Sequence, residues 1–346
     1  MSSSPSRRIG VLLVNLGTPD SPQTSDVRRY LNEFLTDGRV VDMPAAVRYP
    51  LFQGLVVPLR APKSAKIYQQ LWDAERGSPL LFHGLDLKAA LQQVLGEDYV
   101  VAFGMRYQNP SIDNALEELR DAAVDRIIVL PLFPQYASAS TGSVQEKVMD
   151  IVKDWWIVPS INFISQFATE PGFIASIVAR GRAAMAERSF DHVVLSYHGI
   201  PERHVKKGDP TNYCQFGACC NSLTPANQYC YRAQCFATSR LVAAGLGLRD
   251  DQYTVTFQSR LQSRLRDPWL KPYTDEVLKE FPAKGIKSVL AFSPAFVADC
   301  LETTIEVGTE FRELFEENGG EHWQLVPSLN SEPQWVTAVA DMVRAR

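Results

Sequence analysis

Short apolar runs recur along this chain, and amphipathic stretches lie between them. Several runs are rich in Val and Ile and end in Gly, Pro or polar residues, which is typical of strands buried on both faces. The alternation with helix-like stretches predicts parallel sheets covered by helices. The predicted strands are Ile9–Asn15, Tyr99–Phe103, Arg126–Pro131, His192–Tyr197, Tyr253–Phe257, Ser288–Phe292 and Trp323–Val326. The predicted helices include Asp26–Leu35, Leu85–Leu95, Ile112–Ala123 and Phe173–Arg188.

The two halves of the chain repeat this pattern coarsely. A chain of 346 residues that is 45% hydrophobic can bury a large core, and its length favours two domains. We therefore predict an α/β fold with two similar doubly wound parallel-sheet domains enclosing a cleft. The expected domains are residues 1–160 and 161–325, and residues 326–346 form a last helix, from about Pro333, that returns to the first domain.

Charge and hydropathy exclude several classes of protein. A net charge of −4 argues against a nucleic-acid partner, because phosphate binding requires a basic surface. No segment approaches the roughly 18 to 20 apolar residues that a membrane-spanning helix needs. The N-terminal stretch Met1–Arg8 is short and Ser-rich, and the apolar run Ile9–Leu16 after it is too brief for the apolar part of a signal sequence. The sequence predicts a cytoplasmic protein, whose cysteines are thiols or metal ligands rather than disulfides.

One apolar stretch, Tyr49–Leu59, contains two prolines and is followed by Arg60. It can be a buried loop or short helix. It can equally be an exposed lip that meets an apolar ligand or a membrane surface.

Polar and aromatic side chains follow the predicted strands. Parallel strands carry their ligand sites at their carboxyl ends, so these side chains are expected to share one cleft. The apolar candidates are Leu16, Met105, Tyr107, Phe133, Tyr136, Trp269 and Phe296, and the polar candidates are Arg106, His198 and Glu302. A mostly apolar pocket with few polar groups suits a flat aromatic ligand.

Acidic residues recur at three- and four-residue spacing near the end of the chain, which aligns them on one face of an α-helix. They are Asp299, Glu302, Glu306, Glu310 and Glu313. One interpretation is a solvated face. The other is a path for a cation or an exchangeable proton, because like charges at this spacing repel one another when nothing lies between them.

An ordered set of motifs resembles the ferrochelatase family, from near residue 10 to about residue 335. The motifs are Val14–Pro19, Gly104–Tyr107, Pro131–Tyr136, Ser196–Pro201, Gly208–Pro210, Phe257–Ser259, Pro268–Leu270 and Ala298–Thr303. The resemblance implies the terminal step of haem synthesis, in which Fe(II) enters protoporphyrin IX and two protons are released.

The resemblance also implies roles for particular residues. It places His198 and Glu302 at the reacting metal and macrocycle, with Asp299 and Glu306 as further carboxylates at the metal. The implied porphyrin contacts are Leu16, Met105, Arg106, Tyr107, Phe133, Tyr136, Gln258, Ser259, Trp269 and Phe296. Residues 49–60 match the entrance lip, which would make a peripheral membrane contact.

These roles suit the chemistry. A histidine with an ordinary pKa near 6.5 is a natural proton acceptor at neutral pH, and carboxylates can strip water from Fe(II) and hand it on. The sequence leaves open whether His198 accepts protons, holds iron or does both.

Five of the six cysteines lie in one segment after His198. They are Cys214, Cys219, Cys220, Cys230 and Cys235, and an extra loop at residues 211–231 carries the first four. Some ferrochelatases hold a [2Fe–2S] cluster, so the resemblance favours a cluster on four of the five. Zinc is the alternative, because four thiolates satisfy either group, and free thiols are a third interpretation.

Three alternatives to protoporphyrin metalation fit the same sequence. The substrate can be coproporphyrin, or the chain can insert another metal into a different tetrapyrrole. In a third alternative the chain is a non-catalytic haem or iron carrier, with His198 as an axial ligand.

Overall fold

A computed structural model describes residues 8–260 and 267–346. Apart from Arg8, the N-terminal stretch Met1–Arg8 lies outside the described residues. The chain forms two compact units. Unit 1 contains the residues up to Phe133, Ser138–Gln166 and Asn330–Arg346, and unit 2 contains Pro134–Ala137 and Phe167–Leu329.

Unit 1 is built on a four-stranded parallel sheet with the strand order β2-β1-β3-β4. Its strands are β1 (Ile9–Gly17), β2 (Tyr99–Tyr107), β3 (Arg126–Pro131) and β4 (Ser160–Phe163). Its helices are α1 (Thr24–Leu35), α2 (Ala45–Leu51), α3 (Val57–Leu71), α4 (Pro79–Leu95), α5 (Ile112–Asp121), α6 (Ser143–Val152) and α12 (Pro333–Arg344). Val11 to Val14 of β1 are fully buried, as expected of a central strand in a sheet covered on both faces.

Unit 2 repeats this topology, with the strand order β6-β5-β7-β8 in a second parallel sheet. Its strands are β5 (His192–His198), β6 (Tyr253–Gln258), β7 (Ser288–Phe292) and β8 (His322–Leu325). Its helices are α7 (Pro171–Glu187), α8 (Glu202–Lys207), α9 (Tyr231–Leu246), α10 (Thr274–Glu280) and α11 (Phe311–Glu317), with short 3₁₀ turns at Ala218–Cys220 and Pro282–Lys284. The two parallel sheets confirm the predicted α/β fold class.

In each unit the first strand lies between the second and the third. The second strand lies on one side of the first strand and the third on the other side. This reversal of strand order makes a topological switch point at the carboxyl end of the first strand. In unit 2 that end carries His198, because β5 pairs with both β6 and β7.

Three π-helical segments differ from the predicted pattern, at Phe52–Val56, Ser138–Gly142 and Glu302–Glu310. The prediction that the acidic residues 299–313 share one face of a single α-helix is therefore wrong. Glu302, Glu306 and Glu310 lie in the π-helix, and Glu313 lies in α11. Glu310 and Glu313 are exposed, which favours a solvated position for these two side chains.

The stretch Tyr49–Leu59 is helical throughout, running through α2, the first π-helix and α3. The apolar side chains of Tyr49, Leu55 and Leu59 are 45%, 56% and 68% exposed, so the stretch is not a buried loop. Across the described parts of the chain, every helix is too short or too polar to span a bilayer.

Candidate functional site

His198 is the last residue of β5 and is half-buried. The N–H of Gly199 donates to the carbonyl oxygen of Gln258 at 2.8 Å, which joins the ends of β5 and β6. A Cβ atom at position 199 would lie only 2.9 Å from that same oxygen. Glycine is needed here because the two strand ends approach so closely.

The His198 ring is held in one tautomer. Its Nδ1 lies 2.6 Å from the carbonyl oxygen of Gly199, and because a carbonyl oxygen can only accept, Nδ1 carries the proton. In the neutral ring the lone pair is then on Nε2, where it can accept a proton or bind a metal ion. The hydroxyl of Tyr231 donates to the His198 carbonyl oxygen at 2.8 Å and fixes the main chain at this point.

Glu306, on the π-helix Glu302–Glu310, is held by groups from the end of β6. The N–H of Ser259 donates to its Oε1 at 2.7 Å, and the Ser259 hydroxyl donates to its Oε2. The amide of Gln258 donates to Oε2 at 3.0 Å. Ser259 makes both of its bonds from a left-handed backbone conformation, with φ of 59°.

Burial raises the pKa of Glu306 above its ordinary value. The bonds from Ser259 and the positive charge of His198 act against that rise, and the negative charge of Glu302 adds to it. His198, Glu302 and Glu306 therefore lie within electrostatic range of one another. Their arrangement offers one imidazole and two carboxylates, of which Glu306 is biased toward accepting a proton.

The side-chain amide of Gln258 makes hydrogen bonds through both its nitrogen and its oxygen. Its Nε2 donates to the main-chain oxygen of Glu302 at 3.1 Å as well as to Glu306, and its Oε1 accepts from the Ser196 hydroxyl at 2.7 Å. A single buried amide thus connects the end of β6 with the first turn of the π-helix. Ser196 belongs to the motif Ser196–Pro201, but its bond to Gln258 was not predicted from the sequence.

Asp299 has a different environment from the two glutamates. Its Oδ1 accepts from the N–H of Ser328 at 2.9 Å, which ties the start of the acidic segment to the chain after β8. Two aromatic residues lie nearer to His198. The Phe296 ring centroid is 6.4 Å from that of His198, and Trp269 pairs with Pro201 in an isolated β-bridge.

In unit 1, Arg106 and Tyr107 at the end of β2 belong to an ion network that the sequence did not predict. Arg106, Tyr107 and Ser143 donate to Asp37 Oδ2 at 2.7, 2.8 and 2.5 Å. The Arg106 Nε donates to the Ser143 hydroxyl at 2.7 Å. The side chain of Asp37 is 5% exposed, so its charge is compensated almost entirely by protein groups.

Burial by itself would raise the pKa of Asp37, but the hydrogen bonds and the guanidinium outweigh it and hold the pKa below its ordinary value. Burial and the nearby Asp37 charge raise the pKa of Tyr107. The Arg106 and Tyr107 polar groups are therefore engaged within unit 1.

The other predicted porphyrin contacts have varied surroundings. Leu16 is half-buried at the end of β1, Met105 is buried in β2, and Phe133 packs against the core of unit 1. In unit 2 the Tyr136 ring packs edge-on against Tyr229, with 5.6 Å between the centroids, and the Tyr136 N–H donates to Gln234.

The cysteine loop brings four thiols into mutual contact. The Sγ atoms of Cys219 and Cys220 are 3.9 Å apart, Cys214 interacts with Cys219, and the Cys220 thiol interacts with Cys230. The hydrogen bond from Cys220 is the main cause of a lowered pKa at Cys230, at the start of α9.

Cys235 is buried one turn into α9, where its thiol bonds with Tyr231 and lies within electrostatic range of Cys220. Within residues 8–260 and 267–346, no three His, Cys, Asp or Glu side chains are arranged as a metal-ion site.

Comparisons with known proteins agree along nearly the whole chain. The family model described as Ferrochelatase matches residues 8–346. The ferrochelatase of Legionella pneumophila (strain Lens) is 46% identical over 336 residues, which is 97% of this chain and 98% of the relative. The ferrochelatase of Coxiella burnetii (strain CbuK_Q154) is 44% identical over 342 residues, which is 97% of this chain and 93% of the relative.

A solved structure supports the fold. SirB from Bacillus subtilis with Fe3+ superposes with a TM-score of 0.54 and 13% identity, covering 97% of this chain and 94% of SirB. At that identity the likeness shows a common fold alone. The family match and the two relatives show more: this chain belongs to the ferrochelatase family.

Proposed function

We propose that this protein inserts Fe(II) into protoporphyrin IX and releases two protons, the terminal step of haem synthesis. Membership of the ferrochelatase family supports iron insertion into a porphyrin. The observation that carries the proposal is the set of ionisable groups at one sheet edge of unit 2, where His198, Glu302 and Glu306 interact.

His198 is proposed to take a proton from the porphyrin. A porphyrin must lose two pyrrole protons as the metal enters, and an imidazole whose Nδ1 carries the proton presents its Nε2 lone pair as the acceptor. The same lone pair can bind Fe(II), so the tautomer supports either role. Nε2 cannot hold a proton and the metal ion at the same time.

Glu302 and Glu306 are proposed to receive the metal ion or the protons that the porphyrin releases. Carboxylate oxygens suit a divalent iron that must be bound and then passed on. Asp299 is proposed as a further carboxylate at the metal, and one of its oxygens is held by the N–H of Ser328.

The residues proposed to contact the macrocycle remain those that the family motifs imply. They are Leu16, Met105, Arg106, Tyr107, Phe133, Tyr136, Gln258, Ser259, Trp269 and Phe296. The engagement of Arg106 and Tyr107 with Asp37 supports a role for these two in shaping the pocket wall rather than in binding a carboxylate of the substrate.

The experiment is an anaerobic assay of the purified protein with protoporphyrin and Fe(II). We expect porphyrin fluorescence to fall as the metal enters, and His198→Ala to slow this by at least about 100-fold. His83→Ala, at a histidine that packs against Phe82, is the control and should retain activity. A haem carrier would instead purify with a Soret band and show no turnover. Coproporphyrin tested in parallel separates the two substrates by kcat/KM.

We also propose a [2Fe–2S] cluster on Cys214, Cys219, Cys220 and Cys230. Support comes from the chain of contacts among their thiols and from Arg232, which donates to Cys220 Sγ at 2.9 Å. A cationic donor beside sulfur favours the thiolate, and Arg232 does so at Cys220, although the hydrogen bond with Cys230 and burial raise the pKa of that thiol overall. When bound, such a cluster would stabilise the loop after His198 rather than take part in metalation, because inserting Fe(II) transfers no electron.

Finally, we propose a cytoplasmic protein that contacts the membrane surface through residues 49–60. The exposed Leu55 and Leu59 support this, since apolar side chains on a helical segment can enter the headgroup region. Vesicles of phosphatidylglycerol and phosphatidylethanolamine should bind the protein, and replacing both leucines with Ser should weaken binding by at least about tenfold. Leu241→Ser, at a leucine that is 42% exposed in unit 2, is the control. If the wild type, the double leucine variant and Leu241→Ser bind vesicles equally, residues 49–60 do not contact the membrane surface.

A further inference from the structure

Ser196 is a fully buried polar residue of β5 that the mechanism above does not use. It precedes His198 by two positions, so both side chains leave the strand on the same side. Its hydroxyl donates to Gln258 Oε1 at 2.7 Å, and Gln258 is 2% exposed. The nearest groups to this hydroxyl are therefore protein atoms rather than solvent.

The Ser196 hydroxyl anchors the oxygen end of the Gln258 amide. In the observed orientation the amide NH₂ donates to the Glu302 main-chain oxygen and to Glu306 Oε2. Rotating the amide by half a turn would direct its oxygen at these two acceptors, which loses two hydrogen bonds and adds repulsion, so Glu302 and Glu306 set the orientation. The Ser196 hydroxyl then holds the buried Oε1 in place, and removing that hydroxyl takes this donor away from a buried oxygen.

We propose that Ser196 is a positioning residue of the iron-insertion site, acting through Gln258 to fix the Glu306 carboxylate and the first turn of the π-helix. This inference rests on the proposed function of Glu306. Ser196 contacts neither substrate nor metal in this scheme. Its effect is to hold the amide oxygen in place, and the amide in turn holds the carboxylate.

A chain of buried hydroxyls continues beyond Ser196 and supplies a matched control. The Ser196 hydroxyl lies 2.9 Å from that of Thr274, which in turn lies 2.9 Å from that of Thr256. Thr256 is as completely buried as Ser196, but its hydroxyl bonds to Thr274 rather than to Gln258 or Glu306. Thr256→Val removes a hydroxyl of the same chain and keeps the side-chain shape.

The test compares Ser196→Ala, Gln258→Ala, the double variant and Thr256→Val in the anaerobic metalation assay. We expect Ser196→Ala to lower kcat by about 10- to 100-fold with little change in KM, as misplacement of a reacting group does. Because Ser196 acts through Gln258, adding Ser196→Ala to Gln258→Ala should cause no further loss. Thr256→Val should retain wild-type kcat.

Two results would overturn the proposal. One is a double variant whose losses multiply, which would show that Ser196 acts independently of Gln258. The other is an equal loss in Thr256→Val, which would show a general effect on the core. Ser196→Thr, which restores the hydroxyl, should recover most of the lost kcat, and thermal unfolding of every variant separates this from misfolding.

Failure of the proposed function gives a different result. If Glu306→Gln metalates porphyrin at the wild-type rate, Glu306 has no role in the reaction, whatever Ser196→Ala does. If Glu306→Gln is slow and Ser196→Ala is normal, only the positioning role of Ser196 is wrong.

Discussion

Ser259 binds the Glu306 carboxylate with two of its own groups, the N–H to Oε1 at 2.7 Å and the hydroxyl to Oε2. One residue thus fixes both oxygens of the carboxylate. The bonds favour the charged form, whereas burial of Glu306 favours the neutral form and has the larger effect, so the pKa of Glu306 is raised overall. The first two predictions follow from this balance.

Ser259→Ala removes the hydroxyl bond and leaves the N–H bond. We expect the pKa of Glu306 to rise further, so the acidic limb of the kcat–pH profile should move to higher pH. Ser293→Ala is the control, because the Ser293 hydroxyl is buried without a hydrogen-bond partner in the structure. Identical profiles for wild type and Ser259→Ala would show that the ionisation of Glu306 does not limit the rate.

Glu306→Gln should change how stability depends on pH. A carboxyl group with a raised pKa in the folded protein stabilises the fold below its unfolded pKa, about 4.3 for Glu, and that contribution is lost as pH rises through the folded value. The wild type should therefore lose stability over this window and the variant should not. The melting temperature of Glu306→Gln minus that of wild type should increase from pH 4 toward pH 8, as thermal scans at each pH would show.

The control for this variant is Glu310→Gln, on the exposed side of the same π-helix. A difference for Glu306→Gln that stays constant with pH, or that falls, would contradict a raised pKa at Glu306.

Asp37→Asn should be strongly destabilising. It leaves the buried Arg106 guanidinium without its charged partner, and breaking a buried ion pair in this way costs about 3–5 kcal/mol. Because the pKa of Asp37 is lowered, the stability it supplies is present above the unfolded pKa, about 3.9, and is lost as pH falls. Urea unfolding at pH 7 should show the full cost, and the difference between wild type and variant should shrink as pH falls below about 3.9 toward the lowered folded pKa.

Asp150→Asn is the matched control, because Asp150 pairs with Lys153 where both side chains are about 60% exposed. Such a surface pair contributes little to stability, because solvent screens the two charges. A cost for Asp37→Asn as small as that of the control would show that Arg106 finds another partner.

Gly199→Ala should disturb the ends of β5 and β6, because its new Cβ would lie 2.9 Å from the main-chain oxygen of Gln258. Main chain cannot yield as a flexible side chain does, and overpacking of this kind costs about 1–3 kcal/mol. Gly54→Ala is the control, since a Cβ at position 54 meets nothing within 4 Å. Denaturant unfolding measures both variants, and a neutral Gly199→Ala would mean that the strand ends separate easily.

The cluster assignment predicts different results for different cysteines. Cys230→Ser should abolish the visible absorbance, the iron and the acid-labile sulfide of anaerobically purified protein. Cys235→Ser should retain them, because the buried Cys235 thiol bonds with Tyr231, whereas Cys230 bonds with the Cys220 thiol. If the purified protein contains zinc and no sulfide, the cysteines form a structural zinc site and not a cluster. Retention of iron and sulfide in Cys230→Ser would remove Cys230 from the ligand set.

The sequence predicted the strands best where apolar residues run continuously. Arg126–Pro131 and Ser288–Phe292 have the same bounds in the structure as in the prediction, because every residue after the first in each strand is apolar and buried. The edge strand β4 (Ser160–Phe163) was missed, since its four residues are exposed or half-buried and give little apolar signal. The π-helix was missed because a spacing of three and four residues is typical of an ordinary α-helix.

The site was predictable only in part. His198 could be identified from a strand end followed by Gly, which is a local signal. The bonds that fix Glu306 join Ser259 and Gln258 to a helix more than forty residues away, as the 47-residue separation of Ser259 and Glu306 shows. Asp37 similarly meets Arg106 across 69 residues. Contacts between residues so far apart in the chain depend on tertiary packing. They cannot be predicted from any single stretch of sequence.

In each unit a carboxylate accepts hydrogen bonds from residues at the end of the second strand, and the two carboxylates differ in their donors. Asp37 is met by a guanidinium and behaves as a permanent anion, whereas Glu306 is met by an amide, an N–H and a hydroxyl, none of which carries charge. Uncharged hydrogen-bond donors hold a carboxylate oxygen in place and do not determine whether the group is protonated. The end of the second strand thus meets a permanent anion in unit 1 and a carboxylate with a raised pKa in unit 2.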